Sequence, residues 1–120
     1  MNAFESKEDY LERILILKQK NGQVRSIDIA NDMSFSKPSV SVAMKKLKEL
    51  GYISIDDSGY IELTTSGYEI ASLTYEKHIT LYNALLKLGV SEEVAHEDAC
   101  KIEHELSEES FQKIKEFINK

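Results

Sequence analysis

One cysteine, one proline and no tryptophan occur among the 120 residues, and each shortage excludes something. A lone Cys100 cannot build a disulfide framework within one chain. It fits a reducing compartment, where an isolated thiol is buried, reactive or a metal ligand. With one proline and five glycines there is no Pro/Gly-rich linker to separate domains. No apolar run approaches the roughly 20 residues that span a bilayer, and the N-terminus from Met1 to Asp9 is polar and mixed in charge. Neither a membrane span nor a secretory leader is expected. Basic charge is also short, with 15 Lys and Arg against 21 Asp and Glu, for a net charge of −6. Residues 1–65 hold nine basic and ten acidic side chains, net −1, and residues 66–120 hold six and eleven, net −5. The acid is concentrated in the second half, so an overall sign unsuited to nucleic acid does not exclude it as a partner of the first half. What the chain has in quantity is apolar residue, 42%. That is enough to bury a core in one compact unit or two very small ones, and the protein is expected to be soluble and cytoplasmic.

Along the chain, Ser6 followed by Asp9 has the form of a capping box, and Tyr10, Leu11, Ile14, Leu15 and Leu17 recur at helical spacing to a stop at Asn21-Gly22. Ser26 is a candidate cap for a short helix, broken by Ser34-Phe35-Ser36. Pro38, tolerated in a first helical turn, opens a helix running to Leu50 and stopping at Gly51. Tyr52-Ile53-Ser54-Ile55, a polar turn Asp56-Asp57-Ser58-Gly59 and Tyr60-Ile61-Glu62-Leu63 read as a hairpin. Thr64, Thr65 or Ser66 then caps a long helix carrying Ile70, Leu73, Ile79, Tyr82, Leu85 and Leu86 to Gly89, with Gly67 placed early in it. Ser91-Glu92-Glu93 begins a helix through His104, and Ser107-Glu108-Glu109 begins a last one through Ile118. The expected fold is mainly α with a small β-hairpin. A winged helix-turn-helix over 1–65 precedes an α-helical domain over 66–120, joined through continuous helix.

Three helices and a hairpin, with a three-residue break before the third helix, is the order of a winged helix-turn-helix. On the third helix Val40, Ala43, Met44, Leu47 and Leu50 follow core spacing. The opposite face carries Pro38, Val42 and Lys45, flanked by Ser41 and Lys46. Small residues for close approach, hydroxyls and amides for phosphate, and lysines where the backbone passes suit double-stranded DNA. Val42 can pack on a thymine methyl, but no bidentate Arg or Asn/Gln contact is on offer, so discrimination per base is modest. The plainer alternative is that Lys45, Lys46 and Lys48 are a solvated helix face. The acidic hairpin tip, Asp56-Asp57, argues against close wing contact with phosphate.

Cys100, Glu103 and His104 stand at i, i+3 and i+4, a thiol, carboxylate and imidazole on one helical stripe. Asp9 and Glu12 put two carboxylates on one stripe of the first helix, and His78 and His96 complete the supply of imidazoles. Each has an ordinary alternative. Asp9 completes a cap with Ser6, Glu12 is a surface acid beside Arg13, Cys100 is a small buried hydrophobe, and Glu103 with His104 is a solvated pair.

The segment Asp98-Ala99-Cys100-Lys101-Ile102-Glu103-His104 resembles the metal-binding helix of the diphtheria toxin repressor family, which includes iron-dependent repressors and manganese transport regulators. Ser36-Lys37-Pro38-Ser39-Val40-Ser41, followed by Leu50-Gly51-Tyr52-Ile53, resembles that family's recognition helix and its exit into the wing. Glu8-Asp9-Tyr10-Leu11-Glu12 resembles its first helix. The resemblance implies that Ser36, Lys37, Pro38, Ser39, Ser41, Val42, Lys45 and Lys46 face DNA. It also implies that Asp9, Glu12, His78, Cys100, Glu103 and His104 are metal ligands, with His96 an ancillary one. Asp9 and Glu12 are similar to the manganese branch, and Cys100 to the iron branch. Four residues after His78 the family often has a carboxylate, where this chain has Tyr82. The sequence stops at Lys120, so a short form without the SH3-like third domain of many relatives is expected.

The resemblance thus implies a homodimeric repressor that binds operators of metal-uptake genes when loaded with Fe2+ or Mn2+, with Co2+ or Zn2+ as substitutes in vitro, and that takes no small organic substrate. Two other readings were weighed. One is a winged-helix regulator with vestigial ligands. The other is a small metal-dependent hydrolase, from the echo of a zincin motif in His96-Glu97 and Cys100; it lacks a second histidine and any oxyanion donors.

Overall fold

The computed structural model describes residues 3–120, with side chains from residue 7 onward. The elements are α1 (Ala3–Asn21), α2 (Ser26–Met33), α3 (Lys37–Glu49), β1 (Ile53–Ile55), β2 (Ile61–Leu63), α4 (Thr65–Lys87), α5 (Glu92–Ile102) and α6 (Glu108–Ile118). They form two compact units, Met1–Ser72 and Leu73–Lys120, with α4 continuous in sequence from one into the other.

In the first unit, α1 buries Leu11, Ile14, Leu15 and Leu17 and ends where Gly22 takes a φ of 83° and returns its N–H to the Lys18 carbonyl at 2.8 Å. The helix begins at Ala3, so Ser6 lies inside it and is not its cap. Residues 3–5 contain no helix breaker that would delay the start. The cap of α2 is also displaced from expectation. Arg25 holds the extended cap position, its N–H donates to the Asp28 carboxylate at 2.9 Å, and Ser26 is the first helical residue. An acid three residues into a helix satisfies the cap amide and complements the helix dipole, so no hydroxyl is required there.

The break after α2 follows the sequence closely. Ser34 turns left-handed at φ 58°, Ser36 caps α3 by accepting from the Ser39 N–H at 3.3 Å, and Pro38 sits in the first turn. Phe35 meets the Tyr10 ring edge-on at 6.0 Å, which ties the break to α1. α3 buries Val40, Met44 and Leu47, but Leu50, expected in the core, is 55% exposed. The helix ends at Glu49 and Leu50 is its cap, already turning into Gly51 at φ 85°.

The hairpin pairs Ile53 with Leu63, Ser54 with Glu62 and Ile55 with Ile61, so Ile53 and Ile61 enter the core. Ile61 donates its N–H to the Val24 carbonyl at 2.8 Å, fastening the segment after α1 to β2. Thr64 caps α4. Its hydroxyl accepts from the Gly67 N–H at 3.2 Å and donates to the Gly51 carbonyl at 2.7 Å. Gly67 is required by packing, because a Cβ there would sit 2.0 Å from the Tyr52 carbonyl oxygen.

In the second unit, Ser91 and Ser107 cap α5 and α6 by accepting from the N–H groups of Val94 and Ser110. α5 ends at Ile102, not at His104. The extended backbone at Ser107, φ −70° and ψ 157°, needs the chain to leave the helix beforehand, and it does so through Glu103, His104 and Glu105. Phe111, Ala95 and Ala99 are fully buried, and the ammonium groups of Lys77 and Lys115 lie over the Phe111 ring. Lys115 also pairs with Glu76 at 2.7 Å. On α4, Leu73 and Ile79, expected on an apolar packing face, are exposed.

Candidate metal centre and nucleic-acid interface

Helix α3 presents Ser36, Lys37, Pro38, Ser39, Ser41, Val42, Lys45 and Lys46 to solvent. Val42 is 70% exposed, a large apolar side chain with no packing role in the chain itself. Among the described residues, Lys45 and Lys46 have no carboxylate within ion-pair distance, whereas Arg13 is held by Asp32 at 3.0 Å and Lys18 pairs with Glu62. The cationic charge on this unit that is not already answered by an acid therefore includes the outward face of α3. At the wing tip, the Asp56 carboxylate accepts from the N–H groups of Ser58 and Tyr60, each at 2.9 Å. Sequence reasoning took Asp56 only as a repelling charge. Its signal as a turn residue is the Asp-x-Ser-Gly pattern, in which the aspartate oxygen closes the turn. The Arg25 guanidinium stacks over the Tyr60 ring at 4.3 Å beside this wing.

The second unit gathers the thiol and imidazoles. His78 on α4 is buried, and its Nδ1–H donates to Glu103 Oε2 at 3.0 Å while lying 3.7 Å from Cys100 Sγ. Cys100 Sγ is in turn 4.0 Å from His96 Nε2, one turn back on α5. The His78 and His96 rings meet edge-on with centroids 4.9 Å apart, and Tyr82 lies parallel to His78 at 6.3 Å. Glu103 is 3% exposed, and its other oxygen is 3.5 Å from His104 Nε2. Cys100 and Glu103, bracketing the end of α5, thus converge on one histidine of α4. The contact to Cys100 and the bond to Glu103 push the His78 pKa up from 6.5 to about 10, against the opposing effect of burial.

The solvated-pair alternative for Glu103 and His104 does not hold, since Glu103 is buried against His78. Nor do the three residues share one helical stripe, because Glu103 and His104 follow the end of α5. The i, i+3, i+4 spacing placed them near one another for a reason the turn does not preserve. In the first unit, Asp9 and Glu12 lie one turn apart on α1, and Glu12 is buried rather than a surface acid. A buried carboxylate needs donors or a cation. The donor types fit a divalent transition ion. A thiolate and imidazoles suit borderline metals and carboxylates suit harder ones, and all are present as donors that bind once deprotonated.

A winged helix-turn-helix followed by a helical unit that collects sulfur, imidazole and carboxylate donors defines a class of metal-responsive transcription regulators. Residues 3–61 match the model for the iron-dependent repressor N-terminal DNA-binding domain, and residues 64–120 match that for the iron-dependent repressor metal-binding and dimerisation domain. The chain belongs to the iron-dependent repressor family. It is 38% identical over 118 residues to an uncharacterised helix-turn-helix transcriptional regulator of Methanocaldococcus jannaschii, covering 97% of this chain and 94% of that protein. To the transcriptional regulator MntR of Escherichia coli it is 35% identical over 113 residues, 94% of this chain and 73% of that one. The structure of the manganese regulator SloR superimposes with a TM-score of 0.83 at 32% identity, over 94% of this chain and 53% of that one. The chain therefore spans about half the length of that solved structure.

Proposed function

We propose that this member of the family is a homodimeric repressor that binds operator DNA when loaded with Fe2+ or Mn2+ and controls genes for metal uptake in the cytoplasm. The observation that carries the reading is the convergence of His78, Cys100 and Glu103 in a chain that also carries an exposed recognition-type helix. Residues 1–65 form the DNA-binding part and 66–120 the metal-binding and dimerisation part.

In the DNA-binding part, Ser36, Lys37, Ser39 and Ser41 meet phosphate through hydroxyls, amides and charge. Pro38 and Val42 enter the groove, and Lys45 and Lys46 follow the backbone. The regulatory ligand set is Asp9, Glu12, His78, Cys100, Glu103 and His104. When bound, a divalent ion supplies positive charge that lets these donors share a small volume. The chain's own part is to hold them ready. Glu103 orients His78, and Cys100 contributes a soft donor beside it. In the metal-free chain the imidazolium of His78 takes the place of the missing cation.

The mixed donor set supports activation by both ions, with iron slightly ahead because of the thiolate. A dimer is supported by an apolar cavity of about 410 Å³ on the second unit, lined by Leu81, Leu85, Leu88, Ile102, Ile114 and Phe117, where Leu88 is 77% and Phe117 60% exposed. The test is a DNA-binding titration of chelated protein with Mn2+, Fe2+, Co2+ and Zn2+ in turn. Binding that rises on metal addition and falls on chelation is expected. Binding indifferent to both overturns the proposal in favour of a winged-helix regulator with vestigial ligands.

A further inference from the structure

Three donors of the second unit stand together without any carboxylate or any residue from α1. His78, His96 and Cys100 bring their ligand atoms within 4.8 Å of one another, with the sulfur 3.7 Å from His78 Nδ1 and 4.0 Å from His96 Nε2. Tetrahedral ligands at ordinary zinc bond lengths lie about 3.3 to 3.6 Å apart, so shifts of a few tenths of an ångström at these two distances bring the sulfur and each imidazole into range. The rings come from different helices, α4 and α5, and meet edge-on at 79°, so their nitrogens converge on the sulfur without the planes stacking. Tyr82 lies flat against His78 and restrains its ring. His96 is exposed and Cys100 part-exposed, which gives an ion an approach from solvent.

We infer that His78, His96 and Cys100 form a sulfur-containing site for thiophilic ions of the zinc and cobalt class, complete within the second unit, that keeps those ions out of the regulatory ligand set. The consequence for regulation rests on the function proposed above; the site itself does not. Two imidazoles and one thiolate leave a fourth position for water, a donor set that favours Zn2+ or Co2+ and serves Mn2+ poorly. His78 and Cys100 also belong to the regulatory set, and Nδ1 of His78 is the atom that otherwise donates to Glu103. A donor pair committed to His96 and a thiophilic ion is therefore unavailable to complete the carboxylate-rich set. Raw affinity favours zinc over iron and manganese at almost any site of this kind. A second arrangement that captures zinc without recruiting Asp9 or Glu12 converts that excess affinity into a non-signalling state.

The experiment uses the full-length chain stripped of metal and titrated with Co2+, read by absorption. The wild type should show a sulfur-to-cobalt charge-transfer band together with the strong visible bands of a four-coordinate ion. His96→Ala should weaken Co2+ and Zn2+ affinity by at least about tenfold, the loss that even outer-shell partners of a metal cause. It should also remove the four-coordinate spectrum. Because His96 is exposed, its truncation opens no cavity, and circular dichroism of the variant checks the fold. Zinc should stimulate DNA binding more in His96→Ala than in the wild type. Unchanged cobalt affinity and spectrum in the variant overturn the site. An altered spectrum with equal zinc stimulation of both proteins overturns the regulatory role and keeps the site. If no ion stimulates DNA binding by the wild type, the repressor reading fails while the cobalt spectra still decide the site.

Discussion

A buried imidazole whose Nδ1 faces both a carboxylate and a sulfur keeps its proton well above the ordinary range, and His78 is in that position. Its folded-state pKa, about 10 against 6.5, is raised, so the protonated form is the one the fold favours. In the metal-free chain the stability this provides is complete below pH 6.5, declines as pH rises toward 10 and is gone above it. Denaturant unfolding of chelated wild type and His78→Gln should show the largest gap near pH 6 and convergence near pH 10. A gap that widens with pH means that His78 is held neutral. On α3, Lys45 and Val42 separate charge from base reading. Lys45→Ala should weaken binding to all sequences alike and reduce the salt slope by about one unit. Val42→Ser should relax preference at one base pair by about 1 kcal/mol. Filter-binding or anisotropy titrations at several salt concentrations distinguish the two, and a changed sequence preference in Lys45→Ala contradicts this docking. Single residues with one job were the easiest to read in the sequence: Ser36, Ser91 and Ser107 are caps where their spacing put them. Those with partners distant in sequence were not. The bond between His78 and Glu103 joins residues 25 apart, and no local spacing rule connects them.

At the scale of elements, the start of α4 is held by two opposed local preferences. Gly67→Ala in a helix normally gains about 0.5 to 1 kcal/mol through reduced backbone entropy. Here the new methyl would meet the Tyr52 carbonyl, an atom of the backbone that cannot swing aside. Overpacking of this kind costs about 1 to 3 kcal/mol, so the steric effect wins and Gly67→Ala should destabilise the chain by about 1 to 2 kcal/mol net. Chemical denaturation checks it, as a lower midpoint with an unchanged slope; a higher midpoint means that the helix start gives way easily. Gly67 looked like a weakness of the helix in the sequence, and only the return of Tyr52 onto α4 explains it. The same limit governs element ends. Both hairpin strands and the break between α2 and α3 were legible because turn residues mark them. The start of α1, the cap of α2 and the end of α5 were misplaced. At each of these, a backbone requirement elsewhere, or an acid in the first turn, outweighed the serine or the periodicity that suggested the boundary.

At the scale of the whole molecule, the question is what the exposed apolar residues of the second unit and its buried polar cluster do together. Leu88 and Phe117 border an apolar cavity, and a surface of this kind on a small unit is stable in water when a second copy covers it. Light scattering at micromolar concentration should give a dimer mass with or without metal, and a monomer contradicts this. The polar cluster makes the separate prediction that sensing and reading are coupled. Glu103→Gln is an ambiguous probe, because it also removes the acceptor that orients His78. His104→Ala is cleaner. His104 follows α5, outside any helix, and its contact with Glu103 at 3.5 Å is long. Its removal should leave the dimer and the metal-independent affinity for DNA intact while reducing the stimulation by Mn2+ or Fe2+ about tenfold or more. That loss corresponds to at least about 1.4 kcal/mol of coupling between metal and DNA. Linkage requires the reciprocal effect: operator DNA should tighten metal binding by the wild type and do so less for His104→Ala. Measuring metal affinity with and without DNA tests this independently of any effect on folding. Equal tightening in both proteins would show that His104 is outside the regulatory set, leaving Asp9, Glu12, His78, Cys100 and Glu103 to carry the coupling.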